Sequence, residues 1–321
     1  MSLAINRRRK AVLVLLLVCL IWAGAFVGLE TGPAALREIW GEDRDYEIST
    51  FFLFARFGIA ALCMPFVFPS CVRDMNRGNV LTGFWLGLLF SVHLLLQVIG
   101  LAYAEMQPGQ AAFLVALFVV FAPIFAFVLQ GRRPRLGVLI GIPLATVGAA
   151  FINGPPETGL SLAAWLNIGA AAVYGLQIVV TDTLTKKGNT QSQTFWMICS
   201  CAALCGLAFV CSPRAWEMLS ESKLMAVAQS SGFWISEIYL ALVSSVLALA
   251  LLNAWQKEIS PNHAAIIFTC TPVFATALSV AMLGEAITFW LIFGAAMIVL
   301  ANLAAELIGR APTETEKGQA P

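Results

Sequence analysis

GQAAFLVALFVVFAPIFAFVLQ, residues 109–130, runs for 22 positions without one charged side chain. At 1.5 Å of helical rise per residue it covers about 30 Å, the depth of the hydrocarbon layer of a bilayer. Nine more stretches read the same way, at 11–29, 48–68, 80–102, 136–153, 161–184, 190–211, 233–255, 262–283 and 287–308. The two longest connections, 30–47 and 212–232, have room for a short amphipathic helix each and no folded domain. Composition agrees. Hydrophobic residues make up 60% of the 321 and charged residues 12%, against about 25% charged in a soluble domain. The net charge of +1 leaves no basic excess to displace phosphate counterions, so nucleic acid is excluded as a partner. The expectation is an all-α polytopic membrane protein with ten transmembrane helices.

Arg7, Arg8, Arg9 and Lys10 precede the first stretch like the n-region of a signal peptide. The apolar run is longer than an h-region and nine more follow, so it reads as an uncleaved first span. With that end cytoplasmic, the alternate loops hold Arg73 and Arg77, Arg132, Arg133 and Arg135, Lys186 and Lys187, Lys257, Arg310 and Lys317. The opposite side has only Arg37, Arg44, Arg214 and Lys223. The positive-inside rule then places both termini in the cytoplasm, in a multi-pass protein of the inner (plasma) membrane.

Residues 109–130 also have a counterpart. A shift of 153 lays Pro108-Gly109-Gln110-Ala111-Ala112 over Pro261-Asn262-His263-Ala264-Ala265, Gly131 over Gly284 and Gly141 over Gly294; a shift of 152 lays Trp22 over Tyr174 and Val27 over Val179. The matches divide the chain into five-span units, 1–153 and 154–310, followed by a disordered cytoplasmic tail at 311–321. Five is odd, so the second unit enters the membrane upside down. Inverted repeats around a central cavity are a construction of secondary transporters.

Several motifs resemble the EamA branch of the drug/metabolite transporter superfamily. Trp22-Ala23-Gly24-Ala25-Phe26-Val27 resembles its W-G-x-x-F opening, and Arg56-Phe57 its recurrent Arg-Phe/Tyr. Ala111-Ala112-Phe113-Leu114 leading to Ala122-Pro123, and Ala264-Ala265 leading to Thr271-Pro272 and Leu283-Gly284-Glu285, are similar to its fourth- and ninth-span patterns. The chain departs from it at Gly131-Arg132-Arg133, where the family often has Gly-Glu. The resemblance implies two inverted five-helix halves around a cavity for small metabolites.

Polar side chains at mid-membrane are costly and mark function unless a structural partner explains them. His93 lies mid-span with Gln97 one turn on; a histidine there suits substrate recognition or proton coupling, or is polar glue between helices. Trp22 and Tyr174, with Gln177 near the latter, form aromatic walls with an amide, fit for amines or rings; the alternative is an interfacial belt. These five are the candidate substrate-binding residues. Arg56 in the second span attracts a substrate carboxylate or pairs structurally with an acid such as Glu237. Asn253 and Trp255 are candidates for a gate. Gly24–Gly28, Gly83–Gly87 and Gly137–Gly141 are G-x-x-x-G pairs for packing inside the bundle or across a dimer, and Pro123, Pro143 and Pro272 are candidate kinks.

Cys201 and Cys205 share a helix face without a histidine or carboxylate to complete a metal site, so no metal and no cofactor is expected. With no P-loop, H-E-x-x-H or G-x-S-x-G pattern, the chain reads as no enzyme. The expected function is secondary-active export or exchange of small organic metabolites such as amino acids or amines, by alternating access. Protons are a candidate second partner, in a monomer or homodimer. The competing class is a non-transporting integral membrane protein, an assembly subunit or a lipid-modifying enzyme. The acidic loop 30–47 alone offers an enzyme its carboxylates, without metal spacing.

Overall fold

The computed structural model describes residues 2–73, 75–103, 106–131, 136–152, 160–184, 188–255, 258, 267–268 and 270–308. Among these the regular structure is helical throughout, as an apolar solvent demands of a chain whose amides must bond within their own segment. The tail at 311–321, His263 and the basic loops Arg132–Arg135 and Lys186–Lys187 lie outside the described residues.

The first helix, α1 (Ser2–Trp40), runs on past the expected end at residue 29. Residues 30–40 therefore belong to a helix and not to a loop. α1 stops at Gly41, whose φ of +101° suits a residue without Cβ. The chain turns and re-enters as α2 (Asp45–Val67), with Asp45 and Glu47 in its first turn, where negative charge meets the positive end of the helix dipole. Arg37 Nε ties the corner to Asp45 at 2.8 Å.

α3 (Arg77–Leu101) is capped by Asn76, whose side chain accepts from Asn79 N. α4 (Pro108–Val115) and α5 (Phe118–Gln130) divide the fourth stretch between them. At the break the backbone tightens to i→i+3 bonds, Leu117 N to Leu114 O and Val120 N to Leu117 O, and Asn302 donates to the Ala116 carbonyl at 3.3 Å. α6 (Leu136–Phe151), α7 (Leu162–Leu184) and α8 (Thr190–Cys211) follow. Two short helices, α9 (Ala215–Met218) and α10 (Glu221–Gln229), fill the connection where a short helix was expected.

The eighth stretch is composite: α11 (Ser231–Ile238), a π-helical segment from Tyr239 to Leu247, and α12 (Ala248–Trp255). α10 meets the α11–π unit at 64°. The bundle ends with α13 (Cys270–Leu283) and α14 (Phe289–Leu307). Among the described residues six helical stretches are long and apolar enough to cross a membrane, seven if the bent α10–α11 unit is one span; the helices at Leu136–Phe151, Cys270–Leu283 and Phe289–Ala305 are apolar but shorter. Large apolar side chains stand on the outer surface, Phe66 at 87% and Leu62 at 74% exposure, as lipid contact requires.

Small residues set the packing. α6 lies on α14, α3 on both α7 and α8, α2 on α8 and on the π segment, α1 on α13 and on α11–α12, and α5 with α4 on α7. All three glycine pairs face neighbours within the chain. A Cβ on Gly87 would stand 2.7 Å from Met197 O, one on Gly141 2.9 Å from Ala301 O, and one on Gly28 3.2 Å from Leu240 Cγ. Gly131 and Gly284, aligned in the sequence, end α5 and α13 with nearly equal φ of +68° and +71°. That left-handed turn closes a helix most cheaply at glycine.

At the end of the bundle where α3 and α8 begin, Asn79 accepts from Gln193 Nε2 at 3.2 Å and from Asn189 N at 3.3 Å. Gly188, at φ +124°, leaves space for this cluster: a Cβ there would strike Asn79 Oδ1 and come within 2.7 Å of Gln193 Nε2. Gly188→Ala is expected to lower stability by about 1–2 kcal/mol, read as a drop in thermal midpoint in detergent.

Candidate functional site

Aromatic side chains make the site's frame. Arg56 Cζ sits 5.1 Å from the Phe57 ring centroid. Phe57 meets Phe90 at 5.6 Å, Phe90 stacks on His93 at 6.0 Å, His93 on Tyr174 at 4.8 Å, and Phe118 meets Tyr174 edge-on at 5.0 Å. This column passes from α2 through α3 and α7 to α5, with rings at separations that favour stacked and edge contacts. Phe57 was marked only as part of the Arg56-Phe57 motif, and Phe90 and Phe118 have no signal in the sequence beyond being apolar.

His93 is buried, and its Nδ1 lies 2.9 Å from Ala170 O. A carbonyl only accepts, so this nitrogen carries the proton and Nε2 remains as the other polar atom. Gln97, one turn on, is also buried. Gln177 donates through Nε2 to Met197 Sδ at 3.7 Å, and its Oε1 is buried without a partner. His93 and Tyr174 are thus brought into contact, with Gln97 and Gln177 on the same two helices.

Trp22 stands elsewhere, on α1 against the π segment. Its Nε1 donates to the Ser244 carbonyl at 3.3 Å and its ring lies 5.8 Å from that of Phe268. Tyr239 returns the bond, its hydroxyl donating to Ile21 O at 2.7 Å across the space Gly24 leaves open. Ser245 Oγ donates to Leu240 O, five residues back, at 2.8 Å, while accepting from Arg56 Nη2 at 3.3 Å. These bonds to carbonyls and hydroxyls supply the partners that a widened helical turn needs.

Arg56 and Glu237 are both buried, and electrostatically coupled, yet no hydrogen bond joins them. Among the described residues Arg56 Nε and Nη1 and both Glu237 oxygens have no hydrogen-bond partner, with Glu237 at 0% exposure. The expected charge partners are therefore neighbours that leave their polar atoms open. Asn253 and Trp255 fall in the last turn of α12; Trp255 packs beside Ala11 and Leu15 of α1, and the side chain of Asn253 lies outside the described residues. Cys201 and Cys205 are packed in the core.

Residues 161–305 match the model of the EamA-like transporter family. An uncharacterized transporter of Archaeoglobus fulgidus is 25% identical over 313 residues, spanning 94% of this chain and 87% of its own. A second uncharacterized transporter of that organism is 25% identical over 261 residues, 80% of this chain and 86% of its own. A solved crystal structure shares the fold, with a TM-score of 0.55 at 17% identity over 95% of this chain and 98% of the other. With a match to the EamA-like transporter family on its second half and transporter-named relatives along most of its length, the chain is a multi-pass membrane protein similar to these transporters.

Proposed function

We propose that the chain is an EamA-type member of the drug/metabolite transporter superfamily, a secondary-active exporter or exchanger of small organic metabolites such as amino acids or amines. It works by alternating access between two inverted five-helix units, 1–153 and 154–310, with both termini in the cytoplasm. The ten spans are the six long stretches, the composite α11–π–α12 stretch and the three shorter apolar helices.

The packing supports an inverted repeat because it keeps its form when the units are exchanged. α3 on α8 then becomes the α11–α12 span on α2, α1 on α13 becomes the α4–α5 span on α7, and α6 on α14 maps onto itself. The α6–α14 seam supports it residue by residue. With the 153-residue shift, the Gly141–Ala301 approach becomes the Gly294–Gly148 approach. The approach of Gly137 to Ala304 becomes the Trp290–Phe151 stack, whose centroids are 5.5 Å apart. A seam symmetric in this way lets the units trade conformations.

The observation that carries the functional reading is the set of open polar atoms inside apolar helices. Gln177 Oε1, Ser244 Oγ, Arg56 Nε and Nη1 and both Glu237 oxygens are buried without partners. Such atoms are costly in a membrane and a polar solute or water relieves that cost. Trp22, His93, Gln97, Tyr174 and Gln177 are the residues we assign to the solute, with Arg56 and Glu237 supplying the charge it meets. In proteoliposomes loaded with a broad metabolite panel, His93→Ala and Trp22→Ala are each expected to lower flux at least about tenfold, a loss of about 1.4 kcal/mol. Wild-type flux from both variants across the panel would show that the solute binds elsewhere.

A further inference from the structure

A second group of open polar atoms lies away from the aromatic column, where α1, α4 and α13 meet. These three helices close on a small apolar plug of Ala23, Ala112 and Ala275. Beyond it, the Glu285 carboxylate, just past the turn at Gly284, reaches the start of α4, and Gly109 N donates to its Oε2 at 3.2 Å. Pro108 has no N–H, so Gly109 supplies the first donor of that helix. A Cβ on Gly109 would stand 2.6 Å from Thr276 Oγ1 and 2.8 and 2.9 Å from the two Glu285 oxygens. The backbone at Gly109 is thus packed closely against three oxygens contributed by α13 and the turn after it.

Those oxygens are not satisfied. Glu285 Oε1, Thr276 Oγ1 and the hydroxyl of Ser279, itself fully buried, have no hydrogen-bond partner. The Ser279 hydroxyl is close enough to act on the Glu285 carboxylate, as are the backbone N–H groups of Gly109 and Gln110. From α1, Glu30 faces the group electrostatically, and its Oε2 is also buried without a partner. Burial holds the Glu285 carboxyl above the usual carboxylate range. The positive side chain that reaches Glu30 is Arg37, whose Nε is already bound to Asp45 at 2.8 Å. Two hydroxyls and the Glu285 carboxylate therefore gather at the start of α4, where the backbone N–H groups of Gly109 and Gln110 face the carboxylate, and the Glu30 carboxylate acts on them electrostatically from α1.

We propose that Glu30, Thr276, Ser279 and Glu285 bind one small monovalent cation, a proton or Na⁺, and that its binding fastens α1, α4 and α13 together at this end of the bundle. The donors are hard oxygens, which select hard cations. Two carboxylates would balance a divalent ion, but the start of α4 already supplies part of the positive charge. A single positive charge completes the set. As the coupling ion of transport the cation rests on the transporter reading; as a bound ion it does not, and the test uses no solute.

The full chain is purified in detergent and its thermal midpoint is followed in two arms. In one, Na⁺ replaces choline at neutral pH and fixed ionic strength; in the other, pH is lowered in choline alone. The wild type is expected to gain about 3–6 °C in one arm, naming the ion as Na⁺ or H⁺. Glu30→Gln and Glu285→Gln lose at least two thirds of that gain, and Glu38→Gln, an exposed position on α1, keeps it. Glutamine at 285 retains an acceptor for Gly109 N, and Ser279→Ala reports on the same site if that variant fails to accumulate. A wild type that gains in neither arm, or a Glu285→Gln or Ser279→Ala variant that keeps the full gain, overturns the proposal. Its failure leaves the flux test on His93 and Trp22 intact.

Discussion

Gly148→Val is expected to abolish the folded protein. A Cβ at position 148 would stand 2.7 Å from Gly294 O, 2.7 Å from Ile298 Cγ1 and 3.0 Å from Ile298 N, and one on Gly294 would stand 2.7 Å from Gly148 O. Backbone lies against backbone there, so no side chain can turn aside to make room. Between membrane helices there is little hydrophobic driving force, and close approach of small residues supplies the attraction. α6 and α14 are each other's main partners; separating them removes the seam. Overpacking commonly costs about 1–3 kcal/mol, and a backbone clash belongs at or above the top of that range. The measure is the monodisperse fraction on size-exclusion chromatography together with the thermal midpoint. Gly58→Ala is the control: a Cβ at that position meets nothing within 4 Å, and the variant is expected to behave as the wild type. A well-folded Gly148→Val protein would mean that α6 and α14 do not cross at these glycines.

The second large effect is at the buried charges. Arg56→Met is expected to cost about 3–5 kcal/mol, because it leaves Glu237 as an uncompensated charge in a low-dielectric interior. It also breaks the bond to Ser245 Oγ and the contact with the Phe57 ring. Glu237→Gln costs less, since Arg56 keeps both of those contacts. The double variant Arg56→Met/Glu237→Gln is expected to be more stable than Arg56→Met alone, because no net charge then stays buried. Thermal unfolding of all four proteins gives the coupling as a double-mutant cycle. Simple additivity of the two single costs would show that the carboxylate does not sense the guanidinium.

Much of this was legible in the amino-acid order. Runs without charge place the helices, and the left-handed turns at Gly131 and Gly284 stand where the repeat aligns them. His93 and Tyr174 were marked by polarity or by repeat position, and they stack. Other features were silent for physical reasons. YLALVSSVL has no proline or glycine to mark a widened turn, because the turn is held by tertiary bonds from Trp22, Tyr239 and Arg56 to atoms far along the chain. The break at Ala116 lies in an unmarked apolar run and is served by Asn302, 186 positions away. Phe90 and Phe118 could not be picked out, since helices apolar on every side show no preferred face. Glu30 looked like the start of an acidic loop because the local sequence does not announce that α1 continues to Trp40.

The segment from Tyr239 to Leu247 has one more consequence. A wide turn holds a residue more than an ordinary one, and it hands the helix on with its facing directions kept. Shortening that stretch by a single amino acid would turn it into regular α-helix while Glu237 and Trp255 still looked toward their present neighbours. In an alignment of relatives, a one-position gap at this point would therefore mark a loss of the slack and not a change of fold.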